Sequence, residues 1–307
     1  MHHRAQSRPP GVAALALAIA GALLLSGCGG DGATAQDPVQ ELRAKLPKAQ
    51  QSAKVLRIGM DVNYPPVEFR GADGKPEGLD PDIAAALGRI LDLRIEYVDT
   101  PFEKLLPDLH TKQYDVVMSA LSDIRQRREG VDEAGKSTGR AVDFVDYFIA
   151  GTSMVVAKGN PKGIHTLDDL CGKVVAVQSG TTQDEIVARQ VTACTRAGKP
   201  LTVHKFDTDT KALAEVAAGT AQVGLNDSPV AAYAVKNTDG GNRFEVTGPQ
   251  SRSNPYGIAL RKEDTELRDV LAKAIDQLIR SGEYDKILAK WNATAGAAQN
   301  AVVNGGL

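Results

Sequence analysis

Cysteine is rare in this chain, three in 307 residues, and there are only five histidines, two of them at positions 2 and 3. No paired Cys/His spacing occurs, which argues against structural zinc. A glycine-rich phosphate loop ending in Lys and a Ser-centred nucleophile elbow are missing as well, and with them two common signatures of catalysis. Nor is there an excess of one charge: 36 basic residues face 38 acidic ones. Without a basic face interleaved with aromatics, nucleic acid is not an expected partner. No cofactor is expected either. What is present, 42% hydrophobic and 24% charged residues, suffices for one large or two modest cores.

Residues 1–10 carry Arg4 and Arg8 and no acid, and residues 11–25, GVAALALAIAGALLL, form an unbroken apolar run. Fifteen residues are too few for a comfortable membrane span and right for the apolar region of a signal peptide. The run ends in LSGC at Cys28, followed by the small, polar GGDGATAQDP. This resembles a bacterial lipoprotein signal, which implies removal of residues 1–27, lipidation of Cys28 and a tether over residues 28–52. The lipid would anchor the protein to the outer face of the cell membrane. Cleavage takes two of the 36 basic residues and none of the 38 acidic ones. In an oxidising compartment the two remaining cysteines, Cys171 and Cys194, are most simply a disulfide closing a short loop.

From residue 54 the pattern alternates. KVLRIGM (54–60) reads as a buried strand, and 79–93 as a helix with Asp80 as N-cap and Pro81 in its first turn. RIEYV (94–98), a helix over 100–113 and YDVVMSA (114–120) repeat the grammar. A second strand–helix series follows residue 150, and a long amphipathic stretch, 263–291, comes near the end. Strands alternating with helices predict an α/β fold with a mainly parallel sheet. The segments 147–153 and 247–257 are the natural boundaries, so that the chain leaves one lobe and later returns to it.

The stretches GMDVNYPPVEF, GKPEGLDPDIAAAL, YDVVMSALSDIRQRR, VDFVDYF, VVAVQSGTTQDE, VGLNDSPVAAY, PYGIALRKEDTELRDVLAKAI and GEYDKILAKW occur in order across residues 54–291. Together they resemble the family 3 solute-binding proteins of polar amino acid ABC transporters, such as histidine-, lysine/arginine/ornithine- and glutamine-binding proteins. The resemblance implies a two-lobed periplasmic-binding-protein-like (type II) fold with two crossings. Lobe 1 would comprise residues 53–150 and, after the return, 249–307 with the C-terminal tail; lobe 2 would comprise 151–248. It implies a free amino acid as ligand, a permease with its ATPase subunit as partner, and a monomer without catalytic activity.

The resemblance also implies a set of contacts, and the ligand's chemistry explains their residue types. A buried carboxylate and ammonium each need a charged, hydrogen-bonding partner. Arg127, with Ser122 and the Ala120 backbone beside it, matches the family's carboxylate position, where a guanidinium can donate two parallel bonds. Arg125 and Arg128 are then expected to be solvated. Thr182, with Gly180 and Thr181 shaping the turn, sits where a helix start offers unpaired donors, although Thr181 could equally cap that helix. Asp227 matches the acid that meets the ammonium, while Asp227 or Ser228 before Pro229 also reads as a helix start. Asp61, Tyr64 and Phe102 match positions facing the ligand side chain. An acid at 61 favours a cationic or amide side chain. Two departures stand out: the loop 129–141 is longer and richer in glycine and charge, and Ala120 replaces the serine of some relatives.

Two other functions fit the scaffold. A sensor lipoprotein would need the same binding and closure. An exported cyclohexadienyl dehydratase would place an acid or base in the cleft, for which Asp61, Glu68 and Asp227 are available.

Overall fold

The computed structural model of the chain describes residues 37–306 apart from Glu133. The expected signal peptide, Cys28 and the tether up to residue 36 lie outside the described residues. Residues 37–52, expected as the rest of the tether, hold instead two short helices, α1 (Pro38–Ala44) and α2 (Lys48–Ala53, running one residue past it). The reason is a pair of leucines four residues apart, Leu42 and Leu46, both buried in the main core. Arg43 fastens α1 further, its Nε donating to the Ile90 carbonyl at 2.8 Å.

The chain continues through β1 (Val55–Met60), β2 (Asn63–Tyr64), β3 (Glu68–Arg70), β4 (Pro76–Glu77), α3 (Leu79–Leu91), β5 (Arg94–Asp99), α4 (Leu105–His110), β6 (Val116–Val117) and α5 (Arg125–Glu129). A long strand, β7 (Val142–Ala157), leads to β8 (Val174–Gln178), α6 (Thr182–Arg196), β9 (Thr202–Phe206), α7 (Asp209–Ala218), β10 (Val223–Asp227) and α8 (Ser228–Asn237). A second long strand, β11 (Phe244–Arg261), returns to α9 (Thr265–Arg280), α10 (Glu283–Lys290) and β12 (Ala297–Val303).

The main sheet runs β5, β1, β6, β11, β7, β10, β8, β9, with β12 added to β7. β5, β1 and β6 are mutually parallel, as are β10, β8 and β9. Antiparallel β7 and β11 run from one set to the other. Val142 to Phe148 pair with residues 256–261 on one side, and Thr152 to Ala157 pair with residues 244–251 on the other. Register shifts between Thr247 and Ser253 and between Tyr256 and Gly257 interrupt β11. This is the two-lobed periplasmic-binding-protein-like α/β fold with its two crossings. Helices cover both faces of each half-sheet. In α9 the buried Leu267, Val270, Leu271, Ala274, Ile275 and Leu278 form one stripe at helical spacing. Each large apolar side chain buried this way contributes about 1.5–3 kcal/mol. In lobe 2 adjacent residues of β7, Val155 and Val156, enter cores on opposite faces, as a period of two requires.

Two local expectations, Asp80 as a cap and a solvated Arg128, are corrected. Gly78, not Asp80, precedes the first turn of α3: its φ is 137°, and a Cβ there would stand 2.2 Å from the Val67 carbonyl oxygen. Asp80 is freed to turn inward, where it accepts from the Tyr147 hydroxyl at 2.6 Å and the Ala120 N–H at 3.0 Å. The amphipathic stretch 263–291 is two helices, because Gly282 adopts φ 71° between α9 and α10. Arg128 is not solvated: its Nη1 donates at 2.7 Å to Asp123, which is fully buried. Arg125 is exposed and pairs with Glu129.

Candidate functional site: a charged cleft between the lobes

The parallel strands of both lobes end at one place, where sheets of this kind bind ligands. β1 delivers Asp61, the turn after β6 delivers Ala120 and Ser122, β8 ends on Gln178 and β10 on Asp227. Around them stand Tyr64, Glu68, Phe102, Arg127, Thr181, Thr182 and Gln183. Nine of the ten residues expected at the site thus line one cleft. Gly180 does not line it. With φ 74° it makes the turn before α6, and its carbonyl accepts from Arg127 Nη2 at 3.3 Å.

Arg127 is half-buried on the short helix α5. Its Nη1 donates to the Ser122 carbonyl at 2.9 Å, and its guanidinium lies 5.7 Å from the centre of the Phe102 ring. Burial pulls its pKa below the usual guanidinium value, although the nearby charges of Glu185, Asp227 and Asp123 oppose that shift. Thr181 caps α6, accepting from Asp184 N–H at 3.1 Å and donating to the Gln178 carbonyl at 2.8 Å. Thr182 and Gln183 then line the cleft from the first turn.

Asp227 stands at the N-cap position of α8 yet makes no side-chain capping bond, so its carboxyl is free to face the cleft. Oδ1 accepts from Gln183 Nε2 at 2.6 Å and Oδ2 from the Tyr64 hydroxyl at 3.0 Å. The same Tyr64 oxygen accepts from the Asp227 N–H at 3.0 Å. Burial pushes the Asp227 carboxyl up to about 6, against the lowering effect of its donors. Asp61 accepts from Asn63 Nδ2 and Gln178 Nε2, each at 2.8 Å, and burial raises its pKa as well.

Behind Asp61 lies a second acidic layer. Its N–H donates to Ser119 Oγ at 3.0 Å, and Ser119 donates to Glu68 Oε1 at 3.0 Å. Glu68 Oε2 meets no donor and faces the Asp80 carboxyl. Burial, then the Asp80 charge, raises Glu68 well above the carboxylate range, and burial brings Asp80 to about 6. A proton shared between the two resolves both the missing donor and the repulsion.

Three lining residues were not expected as ligand contacts. By sequence Glu68 fits only the role of an acid or base, while Gln178 and Gln183 carry no spacing signal. For Gln178 the usable sign is a polar residue closing the apolar strand VVAVQ. The Ala120 backbone N–H is occupied by Asp80, so only the other groups of that turn are open to a ligand. Cys171 and Cys194 form a disulfide within lobe 2. No group of His, Cys, Asp or Glu among the described residues is arranged to hold a metal ion.

The family of bacterial extracellular solute-binding proteins, family 3, matches residues 56–294. The chain is 30% identical over 270 residues to the arginine-binding protein ArgT of Corynebacterium glutamicum, covering 87% of this chain and 84% of that one. It is 31% identical over 277 residues to a probable histidine-binding protein of Neisseria gonorrhoeae, covering 90% and 93%. Among solved structures, an ancestral arginine-binding protein bound to arginine superposes with a TM-score of 0.68 at 33% identity, over 78% of this chain and 98% of that one. An ancestral amino acid-binding protein described as a precursor of cyclohexadienyl dehydratase gives 0.69 at 30% identity, over 79% and 97%. With four-fifths of its length under the family match and relatives 30–31% identical over most of both chains, the chain belongs to the bacterial extracellular solute-binding proteins of family 3.

Proposed function

We propose that this protein is a lipid-anchored extracytoplasmic receptor, attached through Cys28, that captures a cationic amino acid and delivers it to an ABC permease with its ATPase subunit. One observation carries the choice of ligand: among the described residues lining the cleft, three carboxyl groups, Asp61, Glu68 and Asp227, face a single guanidinium, Arg127. Arg127 takes the ligand carboxylate and Asp227 its ammonium. The Glu68 and Asp80 pair shares a proton, which leaves the Asp61 charge without a counterion until a cationic side chain supplies it. Asp61 takes three neutral donors here, Asn63 Nδ2, Gln178 Nε2 and the Phe102 N–H, and a carboxylate can accept a fourth. Tyr64 and Phe102 flank the aliphatic part of the ligand side chain.

Arginine is the first candidate, since relatives from Corynebacterium glutamicum and Pseudomonas aeruginosa are named for it. The same reading takes 53–150 with 249–307 as one lobe and 151–248 as the other. The course of β7 and β11 from one parallel set to the other supports that division. The test is thermal unfolding with each of the twenty amino acids, ornithine and citrulline. A ligand that binds only the fold stabilises it by RT ln(1 + [L]/Kd), about 2.7 kcal/mol at a hundredfold excess. Arginine, lysine or ornithine should give the largest rise in Tm. A rise with glutamate alone, or with none of them, rules the reading out, and steady dehydration of prephenate or arogenate by the purified protein would put the enzyme in its place.

A further inference from the structure

The family match ends at residue 294, yet the chain beyond it is built into the back of the site. β12 pairs antiparallel with β7, Val302 opposite Asp146 and Val303 opposite Val145. Asn304 then turns the chain at φ 57°, its Oδ1 accepting from the Phe144 N–H at 2.9 Å and its Nδ2 donating to Asp143 at 3.0 Å. Gly305 N–H donates to Asp146 Oδ2 at 2.9 Å, and Gly306 N–H to Asp123 Oδ2 at 2.8 Å. Arg128 Nη1 completes the ring, donating both to Asp123 Oδ1 at 2.7 Å and to the Gly306 carbonyl at 2.8 Å.

The ring sits directly behind the group that faces the cleft. Asp123 follows Ser122, whose carbonyl holds Arg127, and its N–H donates to the Pro255 carbonyl of the crossing strand β11 at 2.8 Å. α5 has five residues, too few to hold a helix by its own hydrogen bonds. Its orientation therefore depends on its side chains, with Arg127 on the cleft side and Arg128 on the tail side. The approach of the tail is close enough to require glycine. A Cβ at 306 would lie 2.0 Å from the Asp123 carbonyl oxygen, and one at 305 would lie 2.6 Å from Val302 Cγ1. The tail also supplies N–H donors to two buried acids that repel each other: burial, then the Asp123 charge, lifts the Asp146 carboxyl to about 7.

We propose that residues 304–306 are a strap that fixes α5 through Asp123 and Arg128 and so positions Arg127 for the ligand carboxylate, an inference that rests on the amino acid receptor reading. Arg128, Asp123 and Gly306 are then positioning residues: they touch no ligand and act through Arg127.

The experiment compares the purified chain with one ending at Val303 and with Gly306→Ala, each with and without Arg127→Ala. Arginine affinity is measured by calorimetry up to millimolar ligand, and amide hydrogen exchange is followed over residues 122–130. Truncation and Gly306→Ala should each weaken binding about tenfold, equivalent to about 1.4 kcal/mol. Neither should add to the loss caused by Arg127→Ala, and both should speed exchange over 122–130 while far-UV circular dichroism is unchanged. Unchanged affinity in both variants, or losses that add to that of Arg127→Ala, overturns the strap. If the unmodified chain binds none of the amino acids, the receptor reading fails by itself; the exchange data then decide, and unaltered exchange over 122–130 after truncation overturns the strap.

Discussion

Asp61→Asn isolates the charge that the ligand assignment depends on. The substitution keeps the side chain's size, and the new amide oxygen retains an acceptor for one of the two side-chain donors, Asn63 Nδ2 and Gln178 Nε2, now at 2.8 Å. Losing the other bond costs about 1 kcal/mol, while removing a buried charge gives a similar amount back, so stability without ligand should change by less than about 1 kcal/mol. The ligand responds differently. A guanidinium 4 Å from a carboxylate gains about 4 kcal/mol at an effective dielectric of 20, part of which desolvation cancels. Hydrogen bonds to charged groups retain about 1.5–3 kcal/mol net, or roughly 10- to 160-fold in affinity. Citrulline has the length of arginine and a neutral ureido end, and so serves as the internal control. Calorimetry should show the arginine-to-citrulline preference falling by that factor in Asp61→Asn, with citrulline affinity within about threefold of the unmodified protein's. An unaltered preference would refute the claim that Asp61 reads the ligand's charge.

Two further outcomes follow from the same structure. The Cys171–Cys194 disulfide closes a loop with a sequence separation of 23, and its loss should cost about 3.4 kcal/mol through the entropy of the unfolded chain. Reduction should lower the urea midpoint accordingly, and an unmoved midpoint contradicts the argument. Asp209, which accepts from Asn226 and is raised to about 7 by burial, binds its proton more tightly in the fold than in the unfolded chain. Its contribution is thus fully present below about pH 4 and is lost as pH rises through about 7. Measured against Asp209→Asn, the unmodified protein should lose stability between pH 5 and 8; a difference that grows with pH has the wrong sign.

The alternation of strands and helices was readable in the sequence because each element is long enough to show its period: the apolar VLRIGM and VVAVQ, and the stripe of α9. The cleft was readable through the family resemblance, which matched Asp61 after β1 and Asp227 closing β10 to positions that face the ligand. Where reading failed, a distant partner decided. Asp80 before a helix-like run reads as a cap, yet the carboxyl goes to Tyr147, 67 positions away. Arg128 reads as solvated beside Arg125 until Asp123 and Gly306, 178 positions away, are in place. β12 is polar and small enough to pass for a tail, and it is a strand only because β7 offers an edge. Local spacing carries no trace of such pairings.

On the proposed reading, closure and capture are one process at this site. Tyr64 with Asp227, Gln178 with Asp61, Arg127 with the Gly180 carbonyl, and Thr210 with the Asn63 carbonyl all bridge from one lobe to the other. Three of these four bridges use the groups assigned to the ligand's ammonium, side chain and carboxylate. An amino acid in the cleft therefore joins, or displaces, bonds that already hold the lobes together, and its net effect on closure is smaller than the sum of its own contacts. A ligand shifts an equilibrium only by its differential affinity for the two states. On this argument, the preference of one amino acid over another depends less on how many bonds it makes than on whether it neutralises Asp61, the charge that the protein's own bridges meet only with neutral amides.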